Sequence, residues 1–144
     1  MAISEFQTTR RVEFADTDMG GIVHFSRFFV FMETAEHEFL RSLGLDVHHV
    51  DGGHEVGWPR LSASCEYKSP ARLGDTLAIH LSVVRKGTTS MTYGFEMRSG
   101  ERLVARGRVT SVRCRIGGKT LEPVPIPAAM AAQVGEAVRV EEGD

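Results

Sequence analysis

VEFADTDMGGIVHFSRFFVFMETAEHEFLRSLGL, Val12 to Leu45, is the stretch on which the reading of the chain turns. It opens in strand-like alternation, breaks at Asp16-Thr17-Asp18-Met19-Gly20-Gly21, and runs into the one long, strongly apolar helix the sequence offers. Phe28, Met32, Ala35 and Phe39 recur at steps of four and three, while Phe29, Phe31, Leu40 and Leu43 widen the stripe toward a full circumference. Such a helix is expected to be buried on most sides. Ser26 is the expected N-cap, although no Glu or Gln follows three residues on to complete a capping box, and Arg41 before Gly44 marks the end. The stretch sets an acid beside a helix start, where unpaired N–H groups and about half a positive charge favour an anion or a carbonyl oxygen gaining charge. At most one of the two aspartates is expected to face that end. A carboxylate next to such a terminus suits acyl transfer, and the same DTD and GG strings also suit an ordinary turn with capping acids.

Before this stretch, residues 8–15 (TTRRVEFA) alternate weakly and predict a first strand. After it, Asp46 to Gly57 is polar and glycine-rich, which predicts a connection. Its His48, His49 and His54 lack a Cys or spaced carboxylate, and adjacent histidines do not easily share a tetrahedral site, so no metal is expected. From Arg60 the pattern has period two: Leu61 to Tyr67, Leu77 to Val83, Met91 to Met97, then Leu103 to Ile116. Four half-buried strands with short turns predict an antiparallel meander whose apolar face only the long helix can cover. The fold class is α+β, a strongly curved antiparallel sheet wrapped around one central helix. Gly117-Gly118 closes the last strand, Pro123, Pro125 and Pro127 rule out a continuous strand beyond it, and Ala128 to Val134 predicts a short helix before a polar, frayed end. Neither repeats nor a linker divide the chain, so residues 1–144 read as one domain.

A formal charge of −2 leaves no electrostatic footprint for nucleic acid. No apolar run approaches ~20 residues, and Met1 to Gln7 lacks a signal-peptide core, which reads as a cytoplasmic protein without a membrane span. Cys65 and Cys114 fall on separate strands and read as buried apolar residues, not as a disulfide or catalytic pair.

The segment from Arg11 to Gly44, in particular Val12-Glu13-Phe14, Asp16-Thr17-Asp18, Gly20-Gly21-Ile22-Val23 and Leu40 to Leu45, resembles the signature of hotdog-fold acyl-CoA thioesterases of the 4-hydroxybenzoyl-CoA thioesterase-like group. The likeness continues through Tyr67-Lys68-Ser69-Pro70-Ala71-Arg72-Leu73-Gly74-Asp75 and the later strands. The resemblance implies a hotdog fold, homodimers that share one sheet and often pair into tetramers, and active sites between subunits. It implies hydrolysis of an acyl-CoA to free acid and CoA without a cofactor, the acyl group being aromatic or a short to medium chain. Asp18 falls on the family's catalytic aspartate, as nucleophile or general base, and Asp16 on an acid read as structural. The oxyanion donor falls on the backbone N–H of Phe25.

Other positions keep two readings. Relatives carry aromatic residues at His24, and some have a histidine one position later, so His24 lines the site, orients water or fills an aromatic slot. Glu33 is at an oligomer interface, paired or functional, while Glu36 and Glu38 are expected to face solvent. Arg85 and Lys86, with Ser90 after the Gly87 turn, meet the CoA phosphates or form a solvated hairpin tip. Trp58 and Pro59, with Phe28 or Met32, line an acyl pocket, although core packing suits the last two better. Two other functions share the fold: acyl-thioester hydration or dehydration, whose HFPxxPxxPG-type motif is absent, and a non-catalytic domain that holds an acyl-CoA or a partner.

Overall fold

Alternation builds the main sheet. In the computed structural model, which describes residues 2–138, β5 (Thr76–Lys86), β6 (Ser90–Ser99) and β7 (Arg102–Val112) form an antiparallel meander. β1 (Glu5–Arg11) adds beside β5 and β4 (Arg60–Tyr67) beside β7, giving the order β1-β5-β6-β7-β4. Leu77, Ile79, Leu81 and Val83 of β5 and Met91, Tyr93, Phe95 and Met97 of β6 turn to one buried face. Helix α1 (Arg27–Ser42) covers that face with Phe28, Phe31, Met32, Ala35, Phe39 and Leu40. Each of these side chains other than Ala35 contributes about 1.5–3 kcal/mol by leaving water. Gly107 lets the helix approach, because a Cβ there would overlap Met32 Sδ and come within 3.1 Å of the Ser64 carbonyl. The α+β hotdog arrangement is as expected.

Several local expectations need correction. The meander has three strands, not four: β4 follows α1 in sequence yet pairs with β7 at the far edge, and Tyr67 to Thr76 crosses back to β5. The first strand is Glu5–Arg11, not 8–15. Its register on β5 ends at Arg11 opposite Thr76, after which Phe14–Asp16 winds into a 3-10 turn closed by the Asp16 carboxylate on the Glu13 N–H. The supposed connection at Asp46 to Gly57 contains a hairpin, β2 (His49–Asp51) and β3 (His54–Gly57), turned by Gly52 and Gly53, whose φ values of 58° and 83° suit the mirror-image hairpin turns.

The strand expected from Leu103 to Ile116 breaks at Arg113, which is buried and donates from Nη1 to the Pro125 carbonyl at 3.1 Å. β8 (Cys114–Ile116) then joins β3 in a second sheet, β2-β3-β8-β9, where β9 is only Glu122–Pro123. The short helix is α2 (Ala128–Gln133). Residues after it are not frayed as far as they are described. Val134 bridges Ile3, and Ala137 donates to the Val83 carbonyl at 2.8 Å; residues 139–144 lie outside the described part.

The buried stripe of α1 is also narrower than expected, since Val30 and Glu33 face outward. Glu36, expected in solvent, is 1 % exposed, and Glu38 is half-buried as the acceptor of the Thr8 hydroxyl. Glu36 follows Met32 by four residues and precedes Phe39 by three, so the helical period puts it on the core face. A cation from β4 makes that placement tolerable. Arg60 Nη1 donates to Glu36 at 2.5 Å and to Ser111 Oγ at 2.6 Å, and Nη2 reaches Glu33 at 3.2 Å. Burial raises the Glu36 pKa, with Arg60 opposing.

Candidate active site

Two strands of backbone hydrogen bonding turn the DTDMGGIVH segment into a small hairpin. His24 N–H donates to the Asp16 carbonyl and Asp18 N–H to the Ile22 carbonyl, both at 2.8 Å, with Thr17 opposite Val23. Gly21, at φ 79°, makes the turn. Extended backbone would set Asp16 and Asp18 on one side, two residues apart. The 3-10 turn ending at Asp16 gives them different surroundings instead.

Asp16 is 1 % exposed and accepts from Glu13 N–H at 2.9 Å, from Arg27 Nε at 2.9 Å and from Arg27 Nη2 at 2.8 Å. Burial pushes its pKa up, but the Glu13 N–H, Arg27 and Arg10 together outweigh it, so the carboxyl is held below its ordinary range. It ties the loop to the first residue of α1 as a fixed anion.

Asp18 has the opposite character. It is half-buried, its Oδ1 accepts only the Gly20 N–H at 2.8 Å, and Oδ2 takes no hydrogen bond from the described residues. The Asp16-anchored hairpin leads directly into the helix entry. There Ser26 is not the capping side chain expected: its backbone is already helical (φ −69°, ψ −24°), and its hydroxyl makes no capping bond. His24 Nδ1 accepts the Ser26 N–H at 3.2 Å and lies 2.8 Å from Ser26 Oγ. The His24 carbonyl accepts the Arg27 N–H at 2.9 Å, and its ring stacks on Phe25 at 4.6 Å. The Phe25 N–H has no acceptor among the described residues, and the side chain is 63 % exposed. At the entry to α1, one main-chain donor thus stands free close in sequence to a carboxylate oxygen that is also free.

Sequence reading passed over one contributor. Tyr67, the last residue of β4, donates its hydroxyl to the Phe25 carbonyl at 3.0 Å and sets its ring edge-on to Phe28 at 5.5 Å. It stood inside the quoted Tyr67-to-Asp75 motif, but a contact across 42 positions carries no local signal.

The remaining site residues lie at the other end of the sheet. β5 runs from Thr76, paired with Arg11 near the loop, to Lys86, a span of about 33 Å at ~3.3 Å per residue. Pro59 accepts the Val112 N–H at 3.0 Å, and Ser90 pairs with Val112, so Trp58, Pro59, Ser90, Arg85 and Lys86 all cluster there. One protomer does not bring them to Asp18. Trp58, Phe28 and Met32 belong to the buried core. The reading of Lys86 as a free phosphate-binding cation needs correction: its Nζ donates to the Ala131 and Val134 carbonyls at 2.7 and 2.8 Å, at the end of α2. Arg85 is exposed. One cleft runs along His54, Glu55, Arg115 and Glu122 and another by His37, Arg41 and Val47; neither includes Asp18.

Similarity to known proteins gives the family. The chain is 33 % identical to a putative esterase of Aquifex aeolicus over 117 residues, 81 % of this chain and 88 % of that one. It is 27 % identical to a 1,4-dihydroxy-2-naphthoyl-CoA hydrolase of Synechocystis over 124 residues, 85 % of this chain and 90 % of the relative. A crystal structure of a 1,4-dihydroxy-2-naphthoyl-CoA thioesterase from Synechocystis superposes with a TM-score of 0.77 at 25 % identity, covering 88 % of this chain and 96 % of that one. The family model described as the thioesterase-like superfamily matches residues 12–134, from the end of β1 through α2, and the chain therefore belongs to that superfamily.

Proposed function

We propose that this member of the superfamily hydrolyses acyl-CoA esters, with Asp18 and the Phe25 N–H as its reacting groups. The observation that carries the reading is a carboxylate oxygen, Asp18 Oδ2, and an N–H at the start of α1, that of Phe25, neither of which has a hydrogen-bond partner among the described residues. Phe25 N–H donates to the thioester carbonyl oxygen as it gains charge; one such donor is worth about 3 to 4 kcal/mol of barrier. Asp18 acts in one of two ways. As general base it takes a proton from water, whose oxygen attacks the carbonyl carbon and expels the CoA thiolate. As nucleophile it forms an acyl-aspartyl anhydride with loss of the thiolate, and water then releases the acid.

The second wall of the site comes from a second copy. β4 is an edge strand, and Leu61 on it is 69 % exposed, an edge that an isolated protein would need to protect. An antiparallel pairing of two β4 strands about a twofold axis sets Tyr67 and Phe25 of one copy beside the start of the other copy's β4, where Trp58 and Pro59 lie. A homodimer, or a tetramer of two such dimers, would unite the two groups of residues that one protomer keeps apart. Arg85 then serves as the cation for the CoA phosphates, and His24 lines the entry.

The rings of Phe25, His24, Phe28 and Tyr67 around the entry suit a hydroxylated aromatic acyl group. Cys65 and Cys114 are unpaired, the Cys65 thiol pushed up to about 11 by burial, which fits inert thiols in a reducing cytoplasm. No described helix is long and apolar enough to cross a membrane. The test is thiol release from hydroxybenzoyl-, dihydroxynaphthoyl-, benzoyl- and aliphatic acyl-CoA esters. Turnover is expected, fastest on the hydroxylated aromatic esters. Tight binding of the esters with no thiol released would make the protein a binding domain.

A further inference from the structure

We propose that Tyr67 is a positioning residue for the thioester reaction: its hydroxyl, by holding the Phe25 carbonyl, fixes the Phe25 N–H in the direction that meets the developing oxyanion. The inference rests on the function proposed for Asp18 and Phe25.

The helix does not hold this segment by itself. A carbonyl four residues before a helical N–H normally accepts it, yet the Phe29 N–H turns to the Ser26 carbonyl at 3.2 Å, and the Phe25 carbonyl receives the Tyr67 hydroxyl at 3.0 Å instead. On the other side of Phe25, the peptide carrying its N–H is joined to His24, whose own N–H is tied to the Asp16 carbonyl at 2.8 Å and whose carbonyl accepts Arg27. Phe25 is thus pinned from the loop side by Asp16 and from the sheet side by Tyr67, and its N–H is the group left free. Oxyanion stabilisation depends on such a donor being oriented before the charge appears, and an ångström of misplacement costs on the order of 10²-fold in rate.

Tyr67 does this through its hydroxyl alone, which keeps the positioning role separable from the ring it presents at the entry. Its ring is fixed against Phe28, itself in the core, and it is the last residue of the strand that forms the sheet's edge. A phenol donates only while protonated, and burial raises the Tyr67 pKa, which keeps the proton in place. The link also couples assembly to chemistry, because a shift of β4 on pairing with a second copy would move the hydroxyl that orients the donor.

The experiment compares wild type, Tyr67→Phe, Phe25→Pro and the double variant in steady-state hydrolysis of the best CoA ester, beside melting temperature and light scattering. Tyr67→Phe keeps the ring and removes only the hydroxyl. It is expected to lower kcat by roughly 10- to 100-fold, with KM within about two-fold and melting temperature and oligomeric state retained. In the Phe25→Pro background, which has no N–H to orient, the same change is expected to alter kcat by less than about two-fold. Tyr67→Phe with wild-type kcat overturns the proposal, whatever Phe25→Pro does. So does a raised KM at unchanged kcat, which would make Tyr67 a substrate contact, and so does full additivity of the two losses. Should Phe25→Pro not fold, the kcat-against-KM split of Tyr67→Phe decides alone. The underlying function fails separately, by a wild type that releases no thiol.

Discussion

The two ends of the main sheet handle their polar groups in opposite ways. At the Arg60 end, charge is consumed internally: Arg60 is engaged by Glu36, Glu33 and Ser111, Lys86 by two carbonyls at the end of α2, and Arg113 by the Pro125 carbonyl. At the Asp18 end, Asp16 and Arg27 satisfy one another, while Asp18 Oδ2 and the Phe25 N–H have no partner among the described residues. Saturated groups hold a fold, and unsaturated groups at a rigid place are available to a substrate. The number of charged residues distinguishes the ends far less than whether each charge has a partner inside the protein.

Breaking the saturated end should damage stability first. Arg60→Ala leaves Glu36 buried without its cation and is expected to lower the unfolding free energy by about 3 kcal/mol or more in urea titrations. Adding Glu36→Gln should recover a large part of that loss, because an uncharged amide needs no counter-ion. Equal stability of Arg60→Ala and wild type would mean that Glu36 is not charged in the fold.

The next effect belongs to the anchor beside the site. Asp16→Asn keeps shape but removes the anion that receives Glu13 N–H and Arg27, at an expected cost of about 2 kcal/mol. Because the folded pKa of Asp16 lies below its ordinary value of 3.8, its contribution is complete above that value and is lost as pH falls through the lowered folded one. Stability of the wild type should therefore drop more steeply than that of Asp16→Asn below about pH 4, and parallel curves would contradict the assignment.

The smallest effects sharpen the contrast between neighbours on β5. Lys86→Met is expected to destabilise by about 1 kcal/mol and to leave KM for the CoA ester alone, since its ammonium is held by α2. Arg85→Ala should do the reverse, raising KM several-fold with little change in melting temperature. A KM effect from Lys86 equal to that from Arg85 would return Lys86 to the phosphate site.

How far the sequence could be read follows the range of each signal. Period-two alternation placed β5, β6 and most of β7, and the 3.6-residue period placed α1, because burial on one face writes itself into adjacent positions. It could not show that β4 leaves its sequence neighbour for β7, since alternation within a strand does not name its partner, nor that Leu61 and Tyr67 on β4 stay exposed. The Asp51-Gly52-Gly53 hairpin was legible in principle from its turn residues, but a polar, histidine-bearing stretch hid it. In the site, Asp18 and Phe25 came from the motif, and the structure adds what the motif lacks: Asp16 bound to Arg27, His24 rather than Ser26 turned to the helix start, and Tyr67 reaching Phe25 from β4. Those are tertiary contacts, absent from any local pattern. The helical spacing of Glu36 points inward while its charge points to solvent, and the partner that makes burial tolerable, Arg60, lies 24 residues away.

The central claim is that the unsaturated carboxylate does the chemistry, and Asp18→Asn tests it most directly. The substitution keeps the side chain's shape and an oxygen for the Gly20 N–H while removing the charge that attacks or activates water. With melting temperature and oligomeric state unchanged, thiol release from the best acyl-CoA ester should fall by at least ~100-fold. A folded Asp18→Asn protein that hydrolyses the ester as fast as wild type would contradict the account.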